Sequence, residues 1–175
     1  MPVFAPRSRL ERVAKAKKQE VDLWAEGVSH QQVTGRSLDE LIDRATADRV
    51  ALAARFASRA RQLLSSNPPM FRDAISRAYY SMYHSWRAVA FHVTRGDDNW
   101  AHSDLPKFSP PGFPNVAAWQ NQVKNARLTR NGADYDAYPK SDNAWNAQAQ
   151  QLVVSATDLL SECKKYLRGR GCQYL

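Results

Sequence analysis

Two groups of side chains have the types and spacing that chemistry requires. Arg77, Tyr80, His84, Arg87 and Phe91 recur at intervals of three and four residues, and Arg130, Asn131, Asp134 and Tyr135 stand together further along. An arginine fork holds a phosphate through two parallel hydrogen bonds. A histidine exchanges a proton near neutral pH, whereas a tyrosine titrates near 10 and is a poor base without help. In one reading these residues wall a functional cleft, with Arg130 placed to hold a phosphate. His84 then supplies an imidazole if its stripe faces Arg130. In the other they close a structural network, in which Arg77 or Arg130 pairs with Asp134 and is tied by Tyr80 and Tyr135. A buried arginine needs such a partner, because leaving it unpaired costs about 3–5 kcal/mol.

The element that must position the first group is residues 74–93. At about 100° per residue of helix, three stripes separate. Ile75, Tyr79, Met82, Trp86, Val89 and Val93 form an apolar stripe. Ala74, Ala78, Ser81, Ser85 and Ala88 form a narrow face that lets a neighbouring helix come close. The polar and aromatic stripe of Arg77 to Phe91 is the third. So little of this helix is left for water that it is expected at the centre of a bundle.

The other elements follow in chain order. Ser8 with Glu11 is a capping-box signal and predicts a helix over 9–26, ended by Gly27, with residues 28–36 as a loop. Ser37 with Glu40 repeats the signal for a helix to Ser66, stopped by Asn67-Pro68-Pro69. The central helix spans 70–95. A proline-rich loop, Gly96 to Asn115, carries Trp100, His102, Leu105 and Phe108 back onto the bundle, and loops of that length are often functional. A helix over 116–131 turns Trp119, Val123, Ala126 and Arg130 to one side and stops at Asn131-Gly132. The last helix runs from the cap Ser141 to Arg168. No strand pattern or repeat is present. The expected class is all-α: an antiparallel up-down four-helix bundle over 37–175, preceded by a basic N-terminal arm over 1–36.

The net charge of +8 sits at the two ends. Residues 1–20 carry six Lys or Arg against two Glu, residues 164–175 carry Lys164, Lys165, Arg168 and Arg170 with no acid, and the remainder balances. Basic ends suit contact with nucleic acid or an acidic partner, and equally suit solubility alone. No apolar run is long enough to span a bilayer, and the N-terminus lacks an apolar signal-peptide core. The two cysteines, Cys163 and Cys172, show neither disulfide-framework nor zinc-site spacing. A reduced cytoplasmic protein without metal or cofactor is expected. His30, His92 and His102 read as packing or surface residues.

The run Ser76-Arg77-Ala78-Tyr79-Tyr80-Ser81-Met82-Tyr83-His84, with Arg130-Asn131-Gly132-Ala133-Asp134-Tyr135-Asp136, resembles the HEPN family (higher eukaryotes and prokaryotes nucleotide-binding) in its bacterial and archaeal form. The resemblance covers about residues 38–168. It implies a helical bundle that dimerises with a second copy. Many members are metal-independent ribonucleases that use an arginine followed four to six residues later by a histidine. Others are non-catalytic partners of small nucleotidyltransferases in toxin–antitoxin or defence systems. Arg130 matches the arginine and Asn131 the polar residue beside it, but Tyr135 stands where the histidine belongs, and no histidine follows. The resemblance therefore implies an RNA-, nucleotide- or protein-binding module. The alternative is an endoribonuclease with a degenerate motif, in which Arg130, Tyr135 and His84 are the catalytic candidates. Such cleavage needs a base on the 2′-hydroxyl, an acid on the leaving oxygen and a cation on phosphate.

Overall fold

The computed structural model describes residues 14–97 and 101–175, and among these every regular element is helical. The Ser8–Glu11 signal and Trp100 lie outside the described residues. Contacts divide the chain into Met1–Leu41 and Ile42–Leu175.

In the first unit, helix α1 (Lys18–Thr34) opens where the Glu20 carboxylate accepts the Lys17 backbone N–H at 2.8 Å. It runs through Gly27, which was expected to end it, and stops at Gly35 with φ 69°. That left-handed φ costs a glycine nothing. Gly27 has a different role: a Cβ there would meet Leu38 Cδ1 at 3.2 Å. No residue of α1 is buried, and Leu23, Trp24 and Val28 are exposed.

Helix α2 (Leu38–Leu64) starts at the expected cap, with the Glu40 N–H donating to Ser37 Oγ at 3.1 Å. From Ile42 onward the second unit is a helical bundle. It continues with α3 (Phe71–Thr94), α4 (Val116–Tyr135) and α5 (Asn146–Gly169). The central role expected of α3 is what is found: it packs against both α4 and α5. Ile75, Met82, Trp86 and Val89 have no solvent exposure, and all five small-face residues are buried. Each large apolar side chain so buried stabilises the fold by about 1.5–3 kcal/mol. Arg77, Tyr80, His84, Arg87 and Phe91 are half-buried along the third stripe.

The loop after α3 packs back as expected. Leu105 is fully buried in a short 3₁₀ turn, Leu105–Lys107. Phe113 meets Trp86 edge-on at 4.9 Å, and the Tyr166 hydroxyl donates to the Pro111 carbonyl at 2.9 Å.

Two boundaries in the second unit also differ from expectation. Asn131-Gly132 does not stop α4, which continues to Tyr135. Gly132 is there because a Cβ would meet Trp145 Cη2 at 3.2 Å. Ser141 begins a 3₁₀ turn, Asp142–Trp145, and α5 follows at Asn146. Asp142 caps α3 across the chain: its carboxylate accepts the Phe71 N–H at 2.7 Å and the Arg72 N–H at 3.3 Å. This places negative charge on a helix start whose first N–H groups lack internal partners. Arg72 in turn donates to the carbonyls of Ala133, Asp136 and Pro139 at 2.7, 2.8 and 2.6 Å. The start of α3 and the end of α4 are thereby tied together, which holds Arg130 against Tyr80.

Candidate functional site

The extra turn of α4 decides the local chemistry. It sets Asp134 one turn beyond Arg130, and Arg130 Nε lies 2.7 Å from Asp134 Oδ2. That contact is ionic: Nε itself is buried and makes no hydrogen bond of good geometry. The other guanidinium nitrogens donate to the Tyr135 hydroxyl at 3.2 Å, Asn131 Oδ1 at 3.3 Å and the Tyr80 hydroxyl at 3.2 Å. The same guanidinium lies over the rings of Tyr80 and Tyr135, 5.5 and 5.1 Å from their centroids. Ser76 donates to Asp134 at 3.4 Å. Burial works against the charge of Arg130, but Tyr135, Asp134 and Tyr80 outweigh it and raise its pKa. The Arg130–Asp134–Tyr80–Tyr135 arrangement of the structural reading is therefore present in full, with Asn131 added.

Arg77 does not join it. Its guanidinium lies over Phe56 at 5.9 Å, and Phe56 stacks on Tyr80 at 5.5 Å. One aromatic ring separates it from the Arg130 network, because Arg77 borders α2 while Arg130 comes from α4. The acid that meets the third stripe is Asp97, from the segment after α3, and it serves Arg87. Arg87 donates to both oxygens of Asp97, at 2.9 and 2.5 Å, and Arg49 adds a bond at 2.9 Å. The hydrogen bonds from Arg87 are the largest cause of a lowered Asp97 pKa.

His84 faces α2. It stacks on Phe56 at 5.4 Å with rings 3° from parallel. Burial first, then Arg87, Arg49 and His102, lower its pKa to about 4, so it is neutral at physiological pH. The imidazole nearer Arg130 is His102, from the loop after α3. Its ring stacks on Tyr83 at 4.1 Å and meets Tyr80 edge-on at 6.2 Å. Its Nδ1 lies 2.5 Å from the Tyr79 hydroxyl. Burial of the ring, then Arg127, Arg130 and Arg87, lower its pKa. Burial also raises the Tyr79 pKa to about 12. Tyr79 thus keeps its proton, and its hydroxyl and the neutral imidazole of His102 share one short hydrogen bond whose direction follows the His102 tautomer.

Next to His102, a cavity of about 420 Å³ is lined by Ser103, Pro106, Lys107, Gln120, Lys124 and Arg127, among others. Lys107 is engaged by Asp104 at 2.7 Å. Among the described residues, Lys124 and Arg127 have no carboxylate within ion-pair distance. The cavity therefore presents two cations without an ion-pair partner among the described residues, next to the neutral imidazole of His102. Such a cavity can take an anion against the cations. His102, Lys124 and Arg127 were not singled out as site residues from the sequence. The only signals were the three-residue step from Arg127 to Arg130 and the length of the loop. No known protein family, curated protein or solved structure matches the chain.

Proposed function

We propose that this protein binds the phosphates of RNA or a nucleotide on the face made by α4 and the loop after α3. In this reading it is a binding module of the HEPN kind, with the up-down helix order of that family. The observation that carries the proposal is the pair of cations, Lys124 and Arg127, that line the cavity with no ion-pair partner among the described residues, Arg127 lying close enough to His102 to lower its pKa. Arg130 is spent on Asp134 and Tyr135, so it orders the site, while Lys124 and Arg127 meet the ligand. The sequence motifs around Tyr79-Tyr80 and Arg130 support the same assignment. A homodimer and a nucleotidyltransferase partner rest on those motifs alone and belong to the same proposal.

A specific contact favours a second reading, metal-independent RNA cleavage. His102 brings an imidazole to the neighbourhood of Arg130 that the chain after Arg130 lacks. Arg130 is already engaged by Asp134 and Tyr135 and is not free to meet a phosphate, which is why binding is placed first. One experiment separates the two. A labelled single-stranded RNA is incubated with the protein without metal, alongside Arg130→Ala and His102→Gln. Binding without cleavage, weakened in His102→Gln, supports the module. Cleavage abolished by both substitutions makes the protein a nuclease. Neither binding nor cleavage overturns both readings.

A further inference from the structure

The second histidine of α3 stands apart from this site, at the opposite end of the helix from Asp142. We infer that Asp43, His92 and Cys172 form a binding site for one divalent metal ion of the zinc type. The three come from the start of α2, the end of α3 and the tail after α5. A carboxylate oxygen, an imidazole nitrogen and the thiol sulfur all lie within 4.8 Å of one another. Asp43 and Cys172 are buried, at 9 % and 5 % exposure. Their separation in sequence explains why no zinc spacing is legible there.

Three observations point to an ion. First, His92 Nδ1 is a buried nitrogen with no hydrogen-bond partner. It lies 3.5 Å from Asp43 Oδ1, too poorly aligned for a hydrogen bond yet close to the separation of two ligands on one metal. Second, the other carboxylate oxygen is already held, because the Gln173 N–H donates to Asp43 Oδ2 at 3.2 Å. That leaves Oδ1 turned to His92, and a fixed second oxygen is how ligating carboxylates are commonly oriented. Third, the donor set is chemically matched. Thiolate, imidazole and carboxylate are the three protein ligands of zinc, and two of them are anionic, so a divalent ion is neutralised.

Metal–ligand bonds of about 2.0–2.3 Å place tetrahedral ligands about 3.3–3.6 Å apart. The Asp43–His92 pair already meets this, and Cys172 must move in by about 1 Å. Its thiol now donates to the Asp43 carbonyl at 3.6 Å. Binding breaks that contact, transfers the thiol proton to solvent and forms the metal–sulfur bond, with water in the fourth position. The simpler account of the same geometry is an Asp43–His92 ion pair, in which Cys172 has no part. The role of the sulfur is therefore the point to test.

The full chain is reduced, stripped with a chelator and titrated with cobalt(II) alone. One equivalent should produce the near-ultraviolet thiolate-to-cobalt charge-transfer band. The band should vanish in Cys172→Ser and persist in Cys163→Ala, whose thiol is in the core away from the site. Zinc at about a hundred times its Kd should raise the Tm by about 5–10 °C. Its affinity should fall more than about 100-fold in His92→Gln, since even outer-shell losses cost 10–100-fold. A wild-type protein with no thiolate band, a band that survives Cys172→Ser, or zinc affinity unchanged in His92→Gln overturns the site. The wild-type spectrum needs no variant, so a substitution that failed to fold would not shelter the proposal.

Discussion

Asp97 offers a well-defined energetic test of how the loop after α3 is anchored. Its carboxylate takes three hydrogen bonds from two guanidiniums, Arg87 and Arg49, and its side chain is 26 % exposed. Charge-assisted bonds are worth about 1.5–3 kcal/mol each in mutational series. Three sharing one partly solvated carboxylate do not add, so about 2–3 kcal/mol is expected for the set. Asp97→Asn keeps the shape and one acceptor oxygen, so it should destabilise by about 2 kcal/mol, or about 4–8 °C in Tm for a chain of this size. The pH dependence fixes the cause. The Asp97 pKa is lowered in the fold, by the Arg87 bonds first and then by Arg49. The unfolded value is about 3.9, so the stabilisation is complete above it and disappears as pH falls through the lower folded value. Urea unfolding followed by circular dichroism should give a constant gap between wild type and variant from about pH 5 to 8, closing below about pH 4. A gap under about 0.5 kcal/mol at neutral pH, or one unchanged in acid, refutes the assigned role.

Two further outcomes follow from other contacts. Asp142→Ala removes the cross-chain cap of α3 and should cost about 1–2 kcal/mol in the same assay, whereas Asp142→Asn, which keeps an acceptor, should cost less. Arg127→Gln removes a cation that, after burial, is the foremost cause of the low His102 pKa. The His102 ring protons should then titrate at higher pH by NMR than in the wild type. An unchanged titration would mean that Arg127 does not face the imidazole.

Much of the fold was legible because α3 carries a strong period. All of the apolar and small stripes except Val93 are buried, with Phe71, Ser76, Tyr83 and Ala90 added, and a run from Ile75 to Val89 with no exposed residue has no stable place except inside a bundle. The expected C-caps at Gly27 and Asn131-Gly132 failed for a shared reason. Each glycine makes room for a side chain distant in sequence or in the next turn of chain, Leu38 or Trp145, and local helix-stop chemistry cannot reveal that. The error at Gly132 also hid the Arg130–Asp134 spacing of one helical turn. Tyr80 and Arg130 were readable because each falls on a helix with a clear period, whereas Asp134 and Tyr135 lay beyond the expected helix end. His102 was not, since a loop has no period to say which way it points. Asp43, His92 and Cys172 were invisible for a different reason: they are joined only by tertiary contact.

The most direct measurement of the account is RNA affinity as a function of salt. A fluorescently labelled single strand is titrated with wild type, Lys124→Gln and Arg127→Gln between about 50 and 200 mM salt. If these two cations meet phosphates, each substitution weakens binding and flattens the slope of log K against log salt by about 0.7. Affinities and slopes identical to wild type in both variants would contradict it.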